Sequence, residues 1–137
     1  MKIYIATPVN GRSEATLEEK REAAYKRVKE LEYTISKCIN GAEFAEFHSA
    51  FDADIAPFGS GISSEPKIMG KCVQRVMECD MIVMDFEWER SKGCQVELKV
   101  ADLYGKELRQ MLYRFNGSDF VPEISEIVRV RKKGFKY

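Results

Sequence analysis

The chain is short of almost everything that metal and disulfide chemistry needs. It has a single histidine, His48, and four cysteines (Cys38, Cys72, Cys79, Cys94) with no C-x-x-C pair among them. A zinc site is therefore not expected, and the thiols should be reduced and mostly buried. It also lacks an excess of either charge: 22 basic and 22 acidic residues cancel, so no global field draws in a nucleic acid polymer or an anionic membrane. No apolar run approaches the length needed to span a bilayer, and MKIYIATPVNG has only a five-residue apolar run before polar turn residues. The expectation is a cytoplasmic protein whose partner is a small molecule.

What is present is enough for one core. At 137 residues and 45% hydrophobic content the chain suits a single domain. Lys2 to Ala6, KIYIA, reads as a first strand that stops at Thr7-Pro8. Thr16 to about Cys38 carries Leu17, Ala24, Val28, Leu31 and Ile35 at helical spacing, with Thr16 and Glu19 as a capping box or Ser13 as the cap of an earlier start. Asn40-Gly41 ends that helix, and a second strand is expected within Glu43 to Phe51. The Gly-, Ser- and Pro-rich stretch Asp52 to Pro66 reads as a long loop and a candidate lid.

The second half alternates in the same way. Ile68, Cys72, Val73, Val76 and Met77 mark a helix, and MIVMDF, Met81 to Phe86, is a continuous apolar run of the kind a buried parallel strand shows. Gly93 to Tyr104 is the next helix, Glu107 to Phe115 the next strand, and Pro122 opens an expected terminal helix through about Val130. Alternating strands and helices predict a three-layer α/β/α domain on a parallel, flavodoxin-like sheet, with ligands beyond the carboxyl ends of the strands. Thr7 to Arg12, Asp85 to Gly93 and the loop after Tyr113 meet there.

Within SKGCQVELKVA, Glu97 is four residues from both Gly93 and Ala101, so one helical face holds a carboxylate between two small residues. An acid near a helix start can simply match the dipole and face water. Its place after the most buried strand gives it a second reading, as a nucleophile on an anomeric carbon. Asp85 ends that strand and is either a turn residue or a second acid. Trp88 is either a packing residue or a platform for a base.

Tyr4-Ile-Ala-Thr-Pro8, Cys79-Asp80, and Trp88-Glu89-x-Ser91-x-Gly93-x-x-x-Glu97-x-x-x-Ala101 resemble the nucleoside 2-deoxyribosyltransferase superfamily, including the 2'-deoxynucleoside 5'-monophosphate N-glycosidases. The resemblance implies that Glu97 attacks C1' of deoxyribose, that Ser91 helps hold a 5'-phosphate, and that Gly93 lets the chain approach the substrate. It assigns Tyr4 with Pro8, Val9, Asn10 and Gly11 to the border of sugar and base. Arg12 could neutralise a phosphate. The implied ligand is a nucleoside or nucleoside 5'-monophosphate, with no metal or organic cofactor, and the implied assembly is a homodimer or larger homo-oligomer. One departure stands out. Where the family has its second carboxylate, eight residues before Asp80, this chain has Cys72, so the helping acid must be another, such as Asp85, Glu87 or Glu89, or the chemistry is lost.

Overall fold

A computed structural model describes residues 1–9, 16–55 and 66–127. The elements run β1 (Lys2–Ala6), α1 (Leu17–Cys38), β2 (Glu46–Ser49), α2 (Pro66–Glu78), β3 (Met81–Met84), α3 (Lys92–Leu103), β4 (Glu107–Phe115) and β5 (Phe120–Glu126), with short 3₁₀ turns at Ala42–Phe44 and Trp88–Arg90. The five strands form one sheet in the order β2-β1-β3-β4-β5. The first four are parallel, which is the flavodoxin-like arrangement expected, and β5 is antiparallel to β4.

Strand alternation divides the core into two layers. Ile3 and Ile5 of β1 and Met81 and Val83 of β3 pack against Val28, Leu31 and Ile35 of α1. Tyr4 and Ala6 of β1 with Ile82 and Met84 of β3 face the other way, onto Ile68, Cys72 and Val76 of α2 and Cys94 and Ala101 of α3. The register is parallel and in step, with Tyr4 opposite Ile82 and Ala6 opposite Met84. Tyr4 therefore belongs to the layer that holds α3, and residues of opposite parity belong to the layer of α1.

The helix termini follow from local chemistry. The Thr16 hydroxyl accepts the Glu19 N–H at 3.1 Å, as the capping box requires, and Ala24, Val28, Leu31 and Ile35 form the buried stripe of α1. Gly41 turns the chain at φ 85°, a left-handed conformation that favours glycine. Ser91 caps α3 by accepting the Cys94 N–H at 3.3 Å.

Two expectations need correction. The segment opened by Pro122 is β5 rather than a helix, because the Asn116-Gly117 turn folds it back onto β4 as a hairpin. The Asn116 side-chain oxygen accepts the N–H groups of Ser118 and Asp119, and Gly117 takes φ 101°. Proline is compatible with that place because β5 is an edge strand. The second strand is shorter than expected: Glu46–Ser49 pairs with β1, while Ala42–Phe44 is a 3₁₀ turn. The lid expected over Asp52 to Pro66 lies largely outside the described residues, as do Val128 to Val130. Among the described residues no helix is long and apolar enough to cross a membrane.

Candidate functional site

Tyr4 and Glu97 meet at the centre of the layer shared by β1, α2 and α3. The Tyr4 hydroxyl donates to Oε2 of Glu97, and both side chains are buried. Glu97 is 6% exposed, and loss of water pushes its carboxyl up from the usual range to about 7 even though the Tyr4 hydrogen bond acts the other way. Burial, and then the nearby Glu97 charge, hold the Tyr4 phenol well above its ordinary pKa, so its proton remains available to the carboxylate. Tyr4 thus holds the carboxylate through Oε2.

A recess runs from this pair to the carboxyl edge of the sheet. Its walls include Thr7, Val9, Ser49, Phe51, Ser91 and Gly93, with Glu97 in the wall. The enclosed part has room of about 20 Å³, and the whole concavity, counting its solvent-open mouth, is about 370 Å³. A single water needs about 10–15 Å³ and ligand clefts begin near 300 Å³, so a ligand would lie in the open part and direct one atom inward. The Thr7 hydroxyl oxygen is buried without a hydrogen-bond partner among the described residues. A buried hydroxyl in that condition is a ready contact for a polar ligand atom.

Of the residues singled out from sequence, Tyr4, Val9, Ser91, Gly93 and Glu97 are brought together here. Gly93 sits in the first turn of α3, and a Cβ added there would meet Met69 Sδ and Ser91 Oγ only at 3.9 Å, an ordinary contact. Space alone does not demand glycine. In the first turn of α3 the Cys94 N–H is donated to Ser91 Oγ and the Gln95 N–H to Ser91 O, so only the N–H groups of Lys92 and Gly93 are left for an anion among the first amides of the helix. Pro8 is half-buried beside the recess without lining it, and Asn10, Gly11 and Arg12 lie outside the described residues.

Asp85 and Trp88 are placed elsewhere. Asp85 has the parity of Val83 and turns to the α1 side, where the Arg27 guanidinium donates to it from Nε at 3.0 Å and Nη2 at 3.0 Å. Its Oδ1 also accepts the Phe86 N–H at 2.7 Å. Arg27 in turn has its pKa raised: burial opposes its charge, and the Asp85 hydrogen bonds and charge outweigh that. Asp85 is thus committed to an ion pair rather than poised beside Glu97. Trp88 is half-buried, packs on the core and donates to Gln110 Oε1 at 3.5 Å.

Cys72, at the position of the missing acid, is fully buried in the same core cluster as Tyr4. Burial, with the Glu97 charge adding, pushes its thiol up to about 12, so it is neutral across the physiological range. Glu97 is the one carboxylate in the recess wall among the described residues. Glu87 and Glu89, the other acids considered, are exposed. No group of three or more His, Cys, Asp or Glu side chains among the described residues is arranged to hold a metal.

Sequence reasoning placed Thr7 within a segment at the ligand edge without singling it out, and missed Ser49. Both lie at carboxyl ends of parallel strands, which is the signal that could have found them. Ser49 is 5% exposed and its Oγ accepts the Phe51 N–H at 3.1 Å. Its own N–H bonds Asp52 Oδ1 at 3.1 Å, and Asp52 is held by His48 Nδ1 at 2.8 Å and by Arg75. This cluster braces the turn that carries Ser49, Ala50 and Phe51 into the recess wall.

Residues 1–110 match the family described as Domain of unknown function (DUF4406), and the chain belongs to that family. No curated protein matches it.

Proposed function

We propose that this DUF4406 protein acts on the N-glycosidic bond of a nucleoside or nucleoside 5'-monophosphate, with Glu97 as the nucleophile. The observation that carries this reading is the buried Glu97 carboxylate, held through Oε2 by Tyr4 and set in a recess at the carboxyl edge of the sheet. In the first step the ionised carboxylate forms a bond to C1' while the C1'–N bond breaks, and the base leaves with the electron pair and takes up a proton from solvent water. The sugar remains as an ester of Glu97. Water, or a second base, then attacks C1' and restores the carboxylate.

Several features of the site support this chemistry. A carboxyl with a pKa of about 7 is partly ionised at neutral pH. Positive charge developing on the sugar ring would favour the ionised form further, so the attacking state is reached when the ligand is bound. The N–H groups of Lys92 and Gly93 at the start of α3 and the Ser91 hydroxyl offer donors to a 5'-phosphate. The unpaired Thr7 hydroxyl offers a contact to a sugar hydroxyl or base.

A second reading has its own observation. Retaining glycosidic catalysis uses two carboxyl groups about 5 Å apart. Here Asp85 is tied to Arg27, and Cys72 is a neutral thiol. That favours a protein of the same fold that binds a nucleotide or sugar phosphate without cleaving it.

Incubation with deoxynucleosides and their 5'-monophosphates, followed by chromatography for free base, separates the two. Base release that Glu97→Gln abolishes supports the enzyme. A ligand-induced rise in melting temperature with no base released from any member supports the binder.

A further inference from the structure

His48 stands opposite Tyr4 in the register of β1 and β2, so its ring lies on the face of the sheet that α2 covers. Both ring nitrogens have carboxylate partners, but their surroundings differ. Among the described residues Nε2 meets Glu46 Oε2 alone, at 2.7 Å. Nδ1 meets Asp52 Oδ2 at 2.8 Å and Arg75 Nη1 at 3.2 Å, so a carboxylate and a guanidinium face the same nitrogen.

Asp52 joins this ring to the recess. Its Oδ1 accepts the Ser49 N–H at 3.1 Å, its own N–H bonds Ser49 O at 3.1 Å, and the Ser49 hydroxyl oxygen accepts the Phe51 N–H at 3.1 Å. Ser49, Ala50 and Phe51 line the recess that holds Glu97. A brace on Asp52 Oδ2 is thus a brace on one wall of that recess. The Asp52 side chain is 17% exposed, whereas Glu46, Asp54 and Glu78 are open to solvent, so Asp52 is the acid that water supports least.

Cations are outnumbered in this cluster. Glu46 comes from β2, Asp52 and Asp54 from the turn, and Arg75 and Glu78 from α2, while Lys2 of β1 and the chain's amino terminus act on Glu46. Arg75 serves Asp52, Asp54 and Glu78 at once. The Cys72 and Cys79 thiols, which sense Asp52 and Arg75, are pushed up to about 12 by burial and stay neutral, and burial holds the Tyr4 phenol well above its ordinary value. His48 is therefore the side chain of this cluster that changes charge near neutral pH. Burial opposes its proton, and the bonds to Glu46 and Asp52 outweigh that and raise its pKa above 6.5.

Which nitrogen gives up the proton follows from what each one faces. At Nε2 the Glu46 charge acts alone and holds the proton. At Nδ1 the attraction of Asp52 is offset by Arg75, whose N–H donates to the nitrogen once it is bare. We propose that His48 is a proton-operated latch on the recess wall. Charged, it clamps Asp52 Oδ2; on losing its Nδ1 proton it turns from donor to acceptor, draws Arg75 Nη1 from Asp52 and frees the turn 49–52. The wall is ordered at low pH and loosens as pH rises through the His48 midpoint. This holds whatever the recess binds and does not depend on the glycosidic reading.

NMR across the His48 midpoint tests it, on wild type and on Glu97→Gln, which removes the other titration in the recess. Above the midpoint the ring-nitrogen shifts should show a protonated Nε2 and a bare Nδ1. Amide protection of Ser49 and Asp52, corrected for the pH dependence of exchange itself, should fall about 10-fold across the same midpoint, as loss of a charge-assisted bond requires. Protection of Leu31 in α1 should not change there. His48→Gln should make the turn indifferent to pH over this range. A proton kept on Nδ1 would overturn the proposal, as would unaltered protection of Ser49 and Asp52 through the midpoint or the same pH dependence in His48→Gln. The ring shifts and the protection factors need no variant at His48, so the test stands even if His48→Gln fails to fold.

Discussion

The Tyr4 hydroxyl and Glu97 Oε2 are joined by a buried hydrogen bond that spans 93 positions of sequence. β1 supplies the donor and the first turns of α3 supply the acceptor, so the bond exists only when the sheet and that helix are assembled. It fixes one oxygen of a carboxylate that lines the recess.

Tyr4→Phe should raise the carboxyl pKa above its present value of about 7. A hydrogen bond to a charged acceptor is worth about 1.5–3 kcal/mol, which corresponds to about 1–2 pH units. The acid limb of the pH–rate profile for base release should move up by that amount, with activity at neutral pH falling about 5- to 50-fold as the ionised fraction drops. An unmoved limb would show that Tyr4 does not set the charge of Glu97.

Glu97 should also cost the fold stability at high pH. Its folded pKa of about 7 lies above the ordinary 4.5, so the native state binds the extra proton. The associated stability is present below pH 4.5 and is lost as pH rises through 7. Glu97→Gln should match wild type near pH 5 and exceed it by up to about 3 kcal/mol above pH 8 in urea denaturation. Equal differences at both pH values would contradict burial of an ionisable group.

Asp85→Ala should act on stability rather than chemistry. It leaves Arg27, 27% exposed at its side chain, without its principal counter-charge. Removing one member of a fully buried pair costs about 3–5 kcal/mol, and solvent at Arg27 reduces this to about 2–3. Arg27→Met/Asp85→Leu should recover much of the loss. If Asp85→Ala abolished base release while keeping wild-type stability, Asp85 would be the second acid after all.

His48 bonds carboxylates at both nitrogens, Glu46 at 2.7 Å and Asp52 at 2.8 Å. Burial disfavours its charge, but the two carboxylates outweigh that and raise its pKa above 6.5. Its contribution to stability is therefore complete below pH 6.5 and lost as pH rises through the raised folded value. As the single histidine it gives one clean proton NMR titration. Asp52→Asn should move that midpoint down towards 6.5.

The layers of the fold were legible because each rests on local signals. MIVM in β3 has the apolar continuity of a central strand, and the Thr16–Glu19 box marks the start of α1 within one residue. β5 was misread because Pro122 suits both a helix start and an edge strand; the Asn116-Gly117 turn before it was the deciding signal. Glu97 could be found from its small neighbours and its place after β3. The position of Asp85 follows from strand parity, but only once it is known that α1 covers the odd-numbered face. The ion pairs of Arg27 with Asp85 and of Arg75 with Asp52 and Asp54 carry no local signature, because these partners lie 58, 23 and 21 positions away.

The most direct measurement is mass spectrometry of the protein quenched in acid during incubation with each deoxynucleoside 5'-monophosphate. The expected result is a mass increase of one deoxyribose phosphate, mapped to the peptide containing Glu97 and missing from Glu97→Gln. Release of base with no adduct at Glu97, or undiminished release by Glu97→Gln, would contradict the nucleophilic role assigned to this carboxylate.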